Sequence, residues 1–461
     1  MNIETNILLM TDSYKVSHYR QYPPGTTRVF SFFESRGGRY PEVLFFGLQY
    51  LIKKYLMGKV VTEEKIFEAK ELFAAHFGDP TLFNEKGWRH ILEKHDGRLP
   101  VLIKAVPEGM RVSTSQVLVT VVNTDPEVPW LTNYIETLLV QLWYPTTVAT
   151  QSYFMRQEIL RYLVETGTPA EIDFKLHDFG FRGSTSVESA GIGGAAHLVN
   201  FKGTDTIPAL RVARTYYNEA MAGFSIPAAE HSTITSWGRS AEGLAYLNML
   251  KQYPKGLVAV VSDSFNIFEA CKALWGTALK DAVMERDGVL VIRPDSGDPI
   301  EVLPKVLEIL GERFGHTTNT KGYKVLNPKV RLIQGDGIDY TSVPAILEAL
   351  KTAGWSADNI AFGSGGGLLQ KLNRDTQKFA FKCSAIEISG EWRDVMKDPI
   401  TDPGKRSKAG KLALVNREGK YDTVREDGIG DENLLVPVFE NGVLLRDDTF
   451  ANVRENALAK V

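Results

Sequence analysis

The chain has 461 residues, of which 43% are hydrophobic and 24% charged, and its formal net charge is −3. At roughly 150 residues per domain this length suggests two or three domains, or one large domain with an addition. The near-neutral charge argues against a general nucleic-acid binder or a polybasic membrane-surface protein. Two cysteines, Cys271 and Cys383, exclude a disulfide framework and a cysteine-based zinc site. The opening stretch MNIETNILLMTDSYK has no basic run and no long apolar run. Neither a signal peptide nor a membrane span is expected there, and a cytoplasmic location is the expectation.

In chain order, RVFSFFE (28–34) predicts a strand, and TEEKIFEAKELFAAHF (62–77) predicts a helix with acidic residues in its first turn. Residues 101–124 predict several strands separated by a Pro-Glu-Gly turn. From about residue 150 apolar, strand-like runs recur, and each ends in Gly, Asp, Arg or His. They cover 172–180, 197–205, 224–231, 257–264, 288–298, 330–337 and 360–367. Helical stretches such as 299–314 and 342–354 separate most of them. Strand, polar end and helix, repeated, predict a parallel α/β sheet. No Rossmann fingerprint opens the series, so an α/β barrel is favoured over an open sheet, with its active site at the C-terminal strand ends. Residues 397–411 predict a loop and 434–445 a return to strands around an Asn-Gly turn. The expected organisation is residues 1–150 as the N-terminal part of an α/β domain, 151–389 as the barrel, and 390–461 returning to the first domain.

The candidate chemistry lies at those strand ends. GSGGG (363–367) precedes a helical stretch; such glycines let backbone N–H groups converge on a phosphate, although a plain strand-to-helix turn reads the same way. GIGGAA (191–196) mimics a dinucleotide loop but follows no apolar strand. IRPDSGD supplies Arg293, Asp295 and Asp298; arginine can grip phosphate, and a carboxylate can hold sugar hydroxyls, orient magnesium or simply pair with the arginine. Asp336, Asp263 and Asp205 repeat the theme, and AAEHST supplies Glu230 and His231. No His/Asp/Glu spacing demands a tightly bound transition metal. HDFGFRG (177–183) sets Phe179, Phe181 and Arg182 on a glycine-rich turn, as if to present a flat apolar face and a cation. Together these residues suit an anionic phosphosugar with a flat ring nearby, and thus phosphoribosyl or nucleotide chemistry.

Several motifs occur together and in order: TDSYK, HDFGFRG, FKGTDT, PAAEHSTIT, VSDSFNI, IRPDSGDP, IQGDGID, FGSGGGLLQKLNRD and KDPITDPGKRSKAGK. On them the chain resembles the nicotinamide phosphoribosyltransferases of the nicotinate/nicotinamide phosphoribosyltransferase family, nearly end to end. The resemblance implies a type II phosphoribosyltransferase fold: an irregular, incomplete α/β barrel with a second α/β domain formed by both chain ends. It implies a homodimer with active sites at the interface, and transfer of phosphoribose from phosphoribosyl diphosphate to nicotinamide. Magnesium would arrive with the substrate, and ATP would couple optionally through phosphorylation of His231.

By the same resemblance Phe179 stacks on one face of the pyridine ring, and Tyr14, supplied by a second copy, covers the other. Asp205 accepts a hydrogen bond from the carboxamide. Arg182, His231 and Arg293 bind diphosphate or phosphate, with Pro294 alongside. Asp295, Gly335 and Asp336 hold the ribose and its 5′-phosphate, and Gly365 and Gly366 offer backbone N–H groups. Arg36, Arg374, Lys382, Lys397 and Lys405 add positive charge. Asp12, Glu230 and Asp263 are supporting residues. Phe181, where the family often has tyrosine, is expected to pack away from the ring, and Ala259 stands where some members have serine. The competing readings are a nicotinate phosphoribosyltransferase and a non-catalytic binding protein on the same fold.

Overall fold

The structure is a computed structural model, and it describes residues 6–401 and 406–459. The chain forms two compact units. The first comprises residues up to Thr150, Thr215–Glu219 and Asn373 onward; the second comprises Gln151–Arg214 and Ala220–Leu372. Residues 373–389, expected in the barrel, therefore belong to the first unit. The reason is strand pairing: Phe379–Ile388 lies antiparallel to Thr26–Ser35, with Phe33 opposite Phe381.

The first unit is built on a seven-stranded sheet that interleaves both ends of the chain. Thr26–Ser35 pairs on its other edge with Val117–Asn123, and Val436–Glu440 pairs with Val101–Ala105. The expected Asn-Gly turn is present, with Asn441 and Gly442 at φ 50° and 83°, the left-handed values a tight hairpin requires. The helix Glu63–Phe77 starts at the Thr62 cap and stops at Gly78. Residues Thr215–Glu219 join this unit because Tyr217 is buried against the Phe46 and Phe450 rings. Its hydroxyl donates to Glu108, which also accepts from the Gly47 and Gln49 amides at 3.1 and 2.6 Å.

The second unit holds a six-stranded parallel sheet. Its strands run in the order Gly203–Thr204, Leu176–Asp178, Ile360–Ser364, Val330–Gln334, Asp287–Arg293 and Lys255–Val261. The segment 224–229 touches both edges. Phe224 N–H donates to Lys202 and its carbonyl accepts from Thr204, at 2.7 and 3.0 Å; Ala259 N–H donates to Pro227 and its carbonyl accepts from Ala229, both at 2.9 Å. The sheet thus closes on itself as an irregular barrel. The expected strand 224–231 is reduced to two single bridges, since Pro227 has no N–H to continue a ladder. The expected strand 197–205 is likewise cut to Gly203–Thr204, because 197–198 finish the helix Val187–Leu198. GIGGAA lies inside that helix, where Gly194 lets Ala209 and Asp178 approach closely.

Side chains alternate across the barrel wall as strand geometry demands. Val258, Val260, Leu290, Ile292, Leu332 and Phe362 face outward into a core shared with the helices Pro299–Phe314 and Ser342–Thr352. Ala259, Val291, Ile333 and Ala361 face inward. No helix among the described residues is long and apolar enough to cross a membrane.

Burial pushes the Glu108 carboxyl up from 4.5 to about 7, against the pull of its three donors. The folded state then holds this proton more tightly than the unfolded one. Its contribution to stability is greatest below about pH 4.5 and is lost as pH rises towards about 7. Urea unfolding across that range should show a loss of up to about 3 kcal/mol in the unmutated protein relative to Glu108→Gln. Parallel pH profiles for the two proteins would refute the assignment.

Candidate active site

The C-terminal ends of the barrel strands open into a cavity of about 1090 Å³, walled by Arg182, Asp295, Asp336 and the glycines 365–367. A narrower, more apolar cavity of about 440 Å³ runs through the barrel interior past Ala259, Val291, Ile333 and Ala361. Phe179, Asp205 and Arg293 line both. They mark the junction where a polar mouth meets an apolar channel.

Local chemistry explains how HDFGFRG reaches this junction. The strand Leu176–Asp178 ends in a turn closed by Gly180 N–H donating to Asp178 Oδ1 at 2.7 Å. Phe179 N–H donates to the Ser364 carbonyl at 2.9 Å, which ties the turn to the neighbouring strand. A Cβ at position 363 would lie 1.9 Å from the Phe179 ring. The ring therefore rests on bare backbone, and only glycine permits it. Arg182 is exposed at the mouth and has no ion-pair partner among the described residues. The short 3₁₀ turn Phe181–Gly183 carries Phe181 onto the cavity wall, 39% exposed.

Asp205 Oδ1 accepts from His177 Nε2 at 2.9 Å and from the Ser225 hydroxyl at 2.5 Å. Oδ2 has no partner among the described residues. Burial alone would raise this carboxyl, but the His177 hydrogen bond and charge, the Ser225 hydroxyl and nearby Arg293 hold it below the ordinary range. The Arg293 Nε is buried without a hydrogen-bond partner, and the nearest carboxylate, Asp295, is 3.8 Å from its Nη2. This arginine is poised for an anion that the protein itself does not supply.

His231 does not line the large cavity; it connects to it through Asp263. His231 Nε2 lies 3.0 Å from Asp263 Oδ1, and Asp263 Oδ2 accepts from Asp295 N–H at 3.1 Å and from the Ser296 hydroxyl at 2.5 Å. Glu230, expected beside the histidine, instead accepts from Ser232. Pro294 is absent from both linings. Asp298 is a helix cap, accepting from Ile300 N–H at 2.9 Å. Gly335 and Asp336 line the mouth, as do Gly365 and Gly366 at the start of a short helix whose first amides have no intrahelical acceptor.

The remaining residues lie in the first unit. Tyr14 is 61% exposed, and Asp12 accepts from the Thr137 hydroxyl at 2.8 Å. Arg36, Arg374, Lys382 and Lys397 gather into one cationic group. Burial, and then the charges of Arg36, Lys397 and Arg374, hold Lys382 below the ordinary lysine range against the pull of Glu136. Lys405 lies outside the described residues. Sequence reasoning missed His177 and Ser225. The signal for His177 was its place two residues before Phe179, and the two rings lie 5.1 Å apart; Ser225 reaches Asp205 only through barrel closure.

A closed parallel barrel with such a mouth defines the type II phosphoribosyltransferase class, and solved structures agree on the fold. A nicotinate-nucleotide pyrophosphorylase from Pyrococcus furiosus superposes with a TM-score of 0.62 at 15% identity, covering 99% of this chain and 96% of that one. Human nicotinic acid phosphoribosyltransferase gives 0.59 at 16% identity, covering 97% and 93%. Residues 174–443 match the nicotinate phosphoribosyltransferase (NAPRTase) family, and residues 6–103 match the nicotinamide phosphoribosyltransferase N-terminal domain. The chain belongs to this family. It is 53% identical to a nicotinamide phosphoribosyltransferase of Xanthomonas campestris pv. campestris, covering 99% of both chains. It is 33% identical to one of Acinetobacter baylyi, covering 99% of this chain and 97% of that one.

The Gly363 contact is directly testable. Gly363→Ala should displace the Phe179 ring and weaken binding of a planar pyridine ligand by roughly two- to tenfold, the loss of a stacking contact of roughly 0.5–1.5 kcal/mol. Calorimetry on a variant with unchanged circular dichroism would measure it.

Proposed function

We propose that this protein transfers the 5-phosphoribosyl group from phosphoribosyl diphosphate to nicotinamide, giving nicotinamide mononucleotide and diphosphate for NAD salvage. The observation that carries this reading is Asp205. It is an ionised carboxylate at the junction, held through Oδ1, with Oδ2 left to accept from a carboxamide N–H beside the Phe179 ring.

In this reading the pyridine ring stacks on Phe179, and the phosphates lie in the mouth against Arg182, Arg293 and the 365–367 amides. The C1–diphosphate bond breaks largely before nitrogen attacks, through an oxocarbenium-like state. Arginines placed where charge develops on the leaving diphosphate lower that barrier, and holding the ring nitrogen near C1 supplies the entropic part. No general base is required, because the attacking nitrogen carries no proton. Asp295 and Asp336 are oxygen donors of the type magnesium takes, and magnesium bound with the diphosphate would neutralise its charge.

Three further elements belong to this proposal. His231, oriented by Asp263, accepts a phosphoryl group from ATP. Exposed Tyr14 and the cationic group around Lys382 serve the site of a second copy in a homodimer. The location is cytoplasmic, in keeping with two free cysteines.

Nicotinate would place its carboxylate against Asp205. Two like charges about 4 Å apart at an effective dielectric of about 20 repel by roughly 4 kcal/mol, a factor of about a thousand. Steady-state assays with both substrates should show strong preference for nicotinamide, and Asp205→Ser should erode it. Comparable turnover of acid and amide by the unmutated protein would defeat the proposal. His231→Ala should abolish ATP-linked stimulation while leaving slower, ATP-independent transfer. Stimulation that survives the change would exclude His231 as the phosphorylated group.

A further inference from the structure

Among the described residues one group of three His, Cys, Asp or Glu side chains brings its donor atoms within 4.8 Å of one another: His90, His95 and Asp125, in the first unit. None of them lines either barrel cavity. We infer that they form a binding site for one divalent transition ion of the zinc type.

The donor atoms already converge. His90 Nε2 lies 2.7 Å from Asp125 Oδ2, and His95 Nε2 lies 2.5 Å from the same oxygen. A carboxylate oxygen only accepts, so each ring nitrogen now presents a hydrogen to it. A cation would take the place of those two hydrogens, with each neutral imidazole carrying its hydrogen on Nδ1 instead. Tetrahedral zinc with bonds of about 2.0–2.1 Å spaces its donors roughly 3.3 Å apart. Each ring would need to retreat by less than about one ångström. The histidine side chains are 27% exposed and Asp125 14%, which leaves room for water in the remaining coordination position.

The surroundings hold these groups in place. His90 lies on the helix Glu85–Lys94, anchored by buried Trp88 and Ile91, and His95 ends that helix with its N–H donating to Ile91 at 3.1 Å. The turn that follows is fixed, because Asp96 and Gly97 are left-handed and a Cβ on Gly97 would lie 2.2 Å from the Val61 carbonyl. On the other side Asp125 Oδ1 accepts from Glu127 N–H at 2.9 Å, and the Asp125 carbonyl accepts from Asn123 Nδ2 at 2.7 Å. Two imidazoles and a carboxylate suit zinc and its neighbours. Magnesium prefers an all-oxygen shell and is selected against here. The ion would clamp the helix end to the loop after the strand Val117–Asn123, so its effect is on stability.

The test uses chelator-treated full-length protein. Calorimetric titration should show one equivalent of Zn²⁺ bound, and Co²⁺ should give the intense visible bands of a four-coordinate site. Zn²⁺ should raise the thermal midpoint by a few degrees while Mg²⁺ leaves it unchanged. His90→Gln and His95→Gln, each with wild-type circular dichroism, should weaken Zn²⁺ binding at least roughly tenfold. Less than one equivalent bound, or variants that bind Zn²⁺ as tightly as the unmutated protein, overturns the proposal. Should either variant misfold, the cobalt spectrum of the unmutated protein decides, and one typical of an all-oxygen six-coordinate ion overturns it.

Discussion

The second unit depends on how the barrel closes. Six parallel strands leave two open edges, and the stretch 224–229 satisfies both with four backbone hydrogen bonds. Pro227 prevents a longer ladder, so closure is short and irregular. That brevity has consequences. Ser225 is carried to Asp205, Ile226 joins the inward-facing wall, and the chain emerges directly after the stretch at Glu230 and His231. A regular seventh strand would put different side chains in each of these places. The channel exists because the inward residues around the closed ring are mostly of modest size and Phe179 stands at its mouth.

Electrostatics then divides the cavity into two chemistries. The mouth carries Arg182, without an ion-pair partner among the described residues, and the buried, unpartnered Arg293 Nε beside the glycines 365–367, an arrangement whose unmet donors favour an anion. The channel is mostly apolar, lined by aliphatic and aromatic side chains with Lys175, Arg331 and Asp358 among them. Asp205 sits at the boundary and stays ionised although partly buried, because His177 and Ser225 neutralise or hydrogen-bond one oxygen. A carboxylate stabilised on one side and free on the other can discriminate between an amide and an acid. A fully exposed one, screened by water, could not do so strongly.

Much of this was legible in the sequence. The alternation of strand, polar end and helix from residue 172 onward predicted a parallel barrel, and the polar ends predicted Asp205, Arg293, Asp295 and the glycines of 363–367 around one mouth. Such patterns are local and survive folding. What failed was non-local. Phe379–Ile388 reads as any apolar strand, and only pairing with Thr26–Ser35 assigns it to the first unit. Residues 197–205 carry enough β-branched and aromatic character to suggest a strand, yet helix continuation takes 197 and 198 and the ladder holds only Gly203–Thr204. The spacing of His90 and His95 matches no helix-face pattern, and Asp125 is remote in sequence, so nothing in the linear order announced their meeting.

The sequence by itself determined the class of chemistry, because residue types and their placement at strand ends limit what a mouth can bind. Why residue 363 must be glycine is decided by the fold, which lays the Phe179 ring from a distant segment against its backbone. Only the tertiary structure decided which carboxylates are structural and which face the cavity. Asp298 caps a helix, Asp178 closes a turn, Asp263 orients His231 and Asp205 faces the junction. The four are one residue type following similar strands. What separates them is the set of donors within hydrogen-bond reach, and that set comes from segments far apart in the chain.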